Sequence, residues 1–140
     1  IKTLILNETN YNDIINLYNY FSINDKTILD FKNFKNLIER LPKNHNIYFY
    51  LENNKIVGAI TLIIEQKIIH NGGKVGHIED FVILDDYRKQ GIGNLLYNYV
   101  KNICEQSKCY KIILDCDLVL EDFYIKKGFV KKGSYMGYYF

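Results

Sequence analysis

The stretch YRKQGIGNLL, residues 87–96, sets an arginine, a lysine and two glycines directly before a run with helical spacing. Ile92, Leu95, Leu96, Tyr99, Val100, Ile103 and Cys104 recur at intervals of three and four, predicting an amphipathic helix that ends near Ser107. The first turn of such a helix leaves backbone N–H groups unpaired and carries partial positive charge. Glycine at Gly91 and Gly93 removes side chains that would keep a phosphate or pyrophosphate away, and Arg88 and Lys89 add charge at the same place. The same pattern also serves an ordinary loop-to-helix junction that uses glycine only for a turn. It is not a Walker loop, because GxxxxGK[ST] does not occur, nor a dinucleotide fingerprint, because the third glycine is missing.

Working outward, KVGHIEDFVIL before the loop reads as a strand, entered from the Gly72–Gly73 pair. NIYFYLE and KIVGAITLIIEQKIIH, joined at Asn53–Asn54, read as two strands around a tight turn. Farther upstream, KTLIL is a strand candidate, and Ile14, Leu17, Tyr18 and Phe21 mark a first helix. DKTILDFKNFKNLIERLP is expected to be a second helix, with Thr27 and Asp30 at capping-box distance and Pro42 as its stop. Downstream, YKIILDC is a strand, and Leu120, Phe123 and Tyr124 form a short helical face closed by Gly128. FVKKGSYMGYYF is expected to add one or two strands. No repeat or linker divides the chain, so residues 1–140 read as one α/β (α+β layered) domain with a mixed sheet.

Bulk properties narrow the function. Apolar residues make up 48% and charged residues 24%, as in an ordinary globular chain. A net charge of +2 with no basic run longer than two residues speaks against nucleic acid, and no apolar stretch reaches the roughly 20 residues of a membrane span. No signal peptide is read at the N-terminus. Cys104, Cys109 and Cys116 are odd in number and lack Cys-x-x-Cys spacing, which implies reduced thiols, a cytoplasmic compartment and no zinc site. Arginine occurs only at Arg40 and Arg88, so its place beside the glycines carries more information than usual.

Several residues have two readings from the residues alone. Glu79 and Asp80, adjacent in a strand, face one site only if a bulge breaks the alternation; otherwise they are a solvated acidic pair. Asp115 in IILDCD is costly in an apolar strand unless paired or functional, or else it is a strand end turning into a loop. Tyr124 is one of 13 tyrosines and reads as core, His70 as surface, Cys116 as packing.

Arg-x-x-Gly-x-Gly between a strand and a helix resembles the acetyl-CoA pyrophosphate loop of the GNAT N-acetyltransferase superfamily. KIIH (67–70), GHIED (76–80), CYKIILDCD (109–117) and FYIKKGF (123–129) resemble, in order, the motifs of the glucosamine 6-phosphate N-acetyltransferase family. The resemblance implies a GNAT fold: about six to seven strands, about four helices, and a splayed strand at the acetyl-CoA site. It implies acetyl transfer from acetyl-CoA to the 2-amino group of D-glucosamine 6-phosphate, on the route to UDP-N-acetylglucosamine, by direct attack in a ternary complex. Asp115 would position the amine as the main catalytic carboxylate, Glu79 would be catalytic beside it with the proton acceptor left open, and Tyr124 would serve the departing sulfur. Ser22, Lys67, His70, Glu79, Asp80, Tyr110 and Lys111 would bind the sugar phosphate with Asp115. Phe81, Val82 and Ile83 would hold the pantetheine arm and polarise the thioester, and Arg88, Lys89, Gln90, Gly91, Ile92, Gly93 and Asn94 would hold the pyrophosphate. A homodimer with exchanged C-terminal strands is implied. The chain departs from the family at Leu120, where asparagine is common, at Tyr139, aligned with a basic residue, and at Ser22, where threonine is usual. Two rival readings follow: an acetyltransferase of the same fold for another amine, or an acetyl-CoA-binding module without turnover.

Overall fold

The computed structural model describes residues 7–22, 26 and 29–140; the KTLIL strand and Thr27 lie outside the described residues. The elements run α1 (Glu8–Phe21), α2 (Phe31–Glu39), β1 (His45–Glu52), β2 (Lys55–Gln66), a turn α3 (Ile69–Gly72), β3 (Lys74–Ile83), α4 (Ile92–Gln106), β4 (Cys109–Ile113) and α5 (Glu121–Ile125). Helix α1 starts at a capping box in which Asn7 and Asn10 exchange side-chain and backbone hydrogen bonds. Helix α2 begins at Phe31, with Asp30 as the N-cap accepting from the Asn33 N–H at 2.8 Å. The expected role of Asp30 as the third residue of a capping box is therefore corrected: its short carboxylate caps the helix itself.

Among the described residues the sheet has four strands in the order β1-β2-β3-β4, antiparallel except for the parallel β3–β4 pair. Its two faces carry separate cores. Helix α4 covers one with Ile92, Leu96, Val100 and Cys104, against Val57, Ile60, Leu62 and Ile78. Helix α1 covers the other with Ile14 and Leu17, against Phe49, Ala59 and Val82. Full burial of a side chain such as Leu96 or Ile60 contributes about 2 kcal/mol. The Ile56 N–H donates to Asp13 Oδ2 at 3.1 Å and pins α1 to the start of β2.

Among the described residues four of the six to seven expected strands are present. Residues 129–140 hold no strand, and Val130, Tyr135, Met136, Tyr138 and Phe140 stand exposed. A strand needs a neighbour for its backbone groups and its apolar face, and among the described residues this tail pairs with none.

Candidate active site

The site is built by two irregularities in β3. Thr61 pairs with Glu79 and Ala59 with Val82, so Asp80 and Phe81 together oppose the single residue Ile60. Asp80 takes up the extra length at a φ of 43°. This bulge breaks the alternation as the acidic pair requires, turning Glu79 and Asp80 toward one cleft. The second irregularity is the end of the β3–β4 pairing at His77 and Ile113. Beyond it the strands part, which leaves the backbone groups on that edge of β3 without a partner strand.

The gap is a cleft of about 210 Å³ between residues 78–81 and 114–117, closed by Leu120, Tyr124 and Phe21. Glu79, Asp80 and Asp115 all line it. Burial, then the charges of Asp115 and Asp80, raise the Glu79 carboxyl above the usual range, with His77 opposing. Asp115 itself is exposed, so the expected cost of a carboxylate in an apolar strand does not arise; β4 has ended two residues earlier. Tyr124 faces these acids from α5 and is only 7% exposed. Burial first, then Cys116 and Asp115, push its hydroxyl up to about 12. Half-buried Cys116 also has its thiol raised, chiefly by burial, so it is held as a thiol.

The glycine loop lies at the far end of β3. After a 3-10 turn at Asp85–Tyr87, Gly91 caps α4 with a φ of 85° and no side-chain cap. A Cβ added at Gly91 would meet nothing within 4 Å, so this residue provides both the left-handed backbone and open space above the first turn. The N–H groups at that turn have no carbonyl one turn earlier to bond and no capping side chain, which fits an anionic phosphate. Gly93 acts differently. A Cβ there would lie 3.3 Å from Ile83 Cδ1 and near the Phe123 and Phe81 rings, so the close approach it permits is of helix to strand rather than of ligand to backbone. Arg88 pairs with Asp85 at 2.8 Å and donates from Nε to the Ile83 carbonyl at 3.1 Å. Gln90 donates to the Asp86 carbonyl at 2.9 Å, and Lys89 sits at a φ of 61°. Ile92 is buried, leaving only its backbone for a ligand. Val82 is buried as well, whereas Phe81 is half-buried.

The segment expected to bind the sugar phosphate stands apart. His70 lies against Tyr110 at 4.3 Å between ring centroids, and Lys111 reaches within 5.5 Å of the Tyr110 ring. Lys67 pairs with Glu65, which also contacts His77 at 2.8 Å. This cluster gathers where β3 begins, at the Lys74–Cys109 pair. Glu79 lies five positions beyond Lys74, about 16 Å of strand, so the His70–Tyr110–Lys111 cluster sits toward the other end of β3, while Lys67 reaches the Glu65 carboxylate that also holds His77. Ser22, at the C-cap of α1, adjoins the cleft through Phe21. Tyr139 is exposed in the tail. Sequence reasoning missed Phe21 as a cleft wall, because its helical spacing marked it as core.

A sheet that parts beside a bulge, with an uncapped helix start after the bulged strand, offers unpaired backbone N–H groups to an extended anionic ligand. The chain belongs to the acetyltransferase (GNAT) family, whose sequence profile matches residues 11–129. Acetyl-CoA is the co-substrate of that family.

Among relatives, it is 39% identical over 105 residues to glucosamine 6-phosphate N-acetyltransferase 1 of Dictyostelium discoideum, covering 71% of this chain and 67% of that protein. It is 40% identical over 87 residues to a probable glucosamine 6-phosphate N-acetyltransferase 2 of Oryza sativa subsp. japonica, covering 62% of this chain and 52% of the relative. The chain thus spans between about half and two thirds of those two relatives. The crystal structure of glucosamine-6-phosphate N-acetyltransferase from Arabidopsis thaliana superposes with a TM-score of 0.87 at 28% identity, covering 99% of this chain and 97% of that one.

Proposed function

We propose that this chain transfers the acetyl group of acetyl-CoA to the 2-amino group of D-glucosamine 6-phosphate, releasing CoA and N-acetyl-D-glucosamine 6-phosphate. The observation that carries this reading is the cleft in which Glu79, Asp80 and Asp115 face the Tyr124 hydroxyl at the parting of β3 and β4. The substrate follows from the names of the relatives.

The carboxylates attract an ammonium group. Glu79, with its raised pKa, is suited to take the proton from it, directly or through water. Asp115 orients the resulting amine toward the thioester carbon. A new N–C bond forms as the C–S bond breaks, and an edge N–H among Phe81, Val82 and Ile83 donates to the carbonyl oxygen. Tyr124 donates a hydrogen bond to the departing sulfur. Its pKa of about 12 stands above that of an ordinary thiol, about 8.5, so full proton transfer would run uphill and hydrogen bonding is its part. Cys116, held protonated, takes no covalent role.

The cofactor-side contacts belong to Arg88, Lys89, Gln90, Gly91, Ile92, Gly93 and Asn94. Those to the sugar phosphate belong to Lys67, His70, Tyr110 and Lys111, with Ser22 at the cleft. Because the His70–Tyr110–Lys111 cluster gathers at the start of β3 and the carboxylates lie beyond the end of its pairing with β4, we assign the cluster to the cleft of a second copy, with the exposed tail of residues 129–140 completing a homodimer by strand exchange. Leu120, an apolar wall, forgoes one polar contact to the pantetheine, and Tyr139 offers no positive charge to the phosphate. Three free cysteines support a reducing, cytoplasmic setting.

The test is CoA thiol release with glucosamine 6-phosphate against unphosphorylated glucosamine. Strong preference for the phosphorylated sugar is expected. Equal turnover of both would favour a transferase for other amines, and CoA binding without release from any amine would mark a binding module.

A further inference from the structure

We propose that Lys127 is a further cofactor-binding residue, one whose ammonium group contacts a phosphate of CoA beside the first turn of α4. The inference rests on the acetyl-CoA reading above. Lys127 follows α5, yet its Nζ reaches back to α4 and donates to Asn94 Oδ1. On the way it lies over two rings, Phe123 at 4.3 Å and Tyr97 at 4.9 Å. The rings fix the ammonium in place by cation–π attraction, while removing part of its water.

This is an unfavourable place for a cation. Asn94 is in the opening turn of α4, where the aligned peptide dipoles already present positive charge. Four lysines find carboxylates: Lys35 pairs with Glu39, Lys67 with Glu65, Lys101 with Glu105 and Lys131 with Glu121. Among the described residues no carboxylate lies within ion-pair distance of Lys127; its polar partner is a neutral amide. Burial accordingly lowers its pKa. A bound phosphate removes all three penalties together, because it answers the helix end and the ammonium at once. The space above the turn is open at Gly91, three residues before the Asn94 that Lys127 contacts, so an anion can approach the same turn.

The ligand chemistry is a phosphate ester or diphosphate, and CoA carries both. The experiment titrates CoA and dephospho-CoA, which lacks the 3′-phosphate, into the full chain and into Lys127→Gln, by calorimetry at two salt concentrations. A charge-assisted contact predicts about tenfold weaker CoA binding in Lys127→Gln, with a shallower salt dependence. If the loss persists with dephospho-CoA, Lys127 serves the diphosphate; if it vanishes, the 3′-phosphate. Lys127→Arg is expected to retain CoA binding within about threefold, as a cation of similar reach. Steady-state kinetics are expected to show a raised KM for acetyl-CoA with kcat held, and no change in kcat/KM for acetyl-pantetheine, which has no phosphate. Equal CoA affinity in wild type and Lys127→Gln, or an equal loss with acetyl-pantetheine, overturns the proposal. Absence of CoA binding in the wild-type chain would instead overturn the acetyl-CoA reading on which it stands.

Discussion

The two ends of β3 are built in opposite ways. At its C-terminal end the strand bulges at Asp80 and has left β4, the gap holds carboxylates and a buried tyrosine, and an open helix start follows farther along the chain. At its N-terminal end it stays paired with β4, through a register shift between Lys74 and Val75 that skips Tyr110, and the His70, Tyr110 and Lys111 cluster lies on the surface beside it. Broken pairing creates room and unsatisfied backbone groups, which is what acyl transfer uses. Continued pairing, even with its register shift, closes the sheet and offers side chains on a surface. The difference is the ground for the proposed division of the site, with the chemistry at one end of β3 and phosphate recognition at the other.

The comparison breaks most visibly at the chemical end. Asp115→Asn is expected to lower kcat about 10³-fold while calorimetric CoA affinity stays within a factor of about two, since its carboxylate orients the amine and not the cofactor. Normal turnover in that variant would remove Asp115 from the mechanism. Gly91→Val forces a β-branched residue to a φ of 85° and fills the space above the turn. We expect about tenfold or greater loss of CoA affinity and about 1–3 kcal/mol of stability, read by calorimetry and thermal melts.

At the other end, Lys111→Ala should raise KM for glucosamine 6-phosphate about tenfold, with kcat nearly unchanged and acetyl-CoA KM unaffected. An equal rise with unphosphorylated glucosamine would show that Lys111 does not read the phosphate. The smallest effect concerns pH. The Asp80 charge helps raise the Glu79 carboxyl, so Asp80→Asn lowers the Glu79 pKa. As Glu79 must be ionised to accept a proton, the acidic limb of kcat against pH, measured with saturating substrates, shifts to lower pH. An unmoved limb would take Glu79 out of the proton-accepting role.

Much of the chemical end was legible in sequence, because its determinants are local. The spacing of Ile92, Leu96, Val100 and Cys104 fixes the buried face of α4, and Glu79–Asp80 raised the need for a bulge that the register shift supplies. Leu95 and Tyr99 fall at the edge of the same face and remain exposed, since α4 packs on the sheet along one narrow stripe. Gly91 and Gly93 look alike in a motif, but only a φ and the neighbouring Ile83 tell a ligand glycine from a packing one. The tail FVKKGSYMGYYF has strand composition without a strand partner, and composition does not reveal whose edge it would join. Nor does motif order reveal that Lys67, His70, Tyr110 and Lys111 gather at the opposite end of β3 from Glu79; that depends on the parallel register of β3 and β4.

The division of the site is tested most directly by co-expressing Asp115→Asn and Lys111→Ala chains and assaying the mixture at low glucosamine 6-phosphate. If the cleft of one copy works with the cluster of another, mixed dimers contain one doubly impaired site and one intact site. Random pairing then restores about a quarter of wild-type activity. If cleft and cluster of the same chain work together, every site carries one defect, and the mixture will be no more active than the average of the two variants alone.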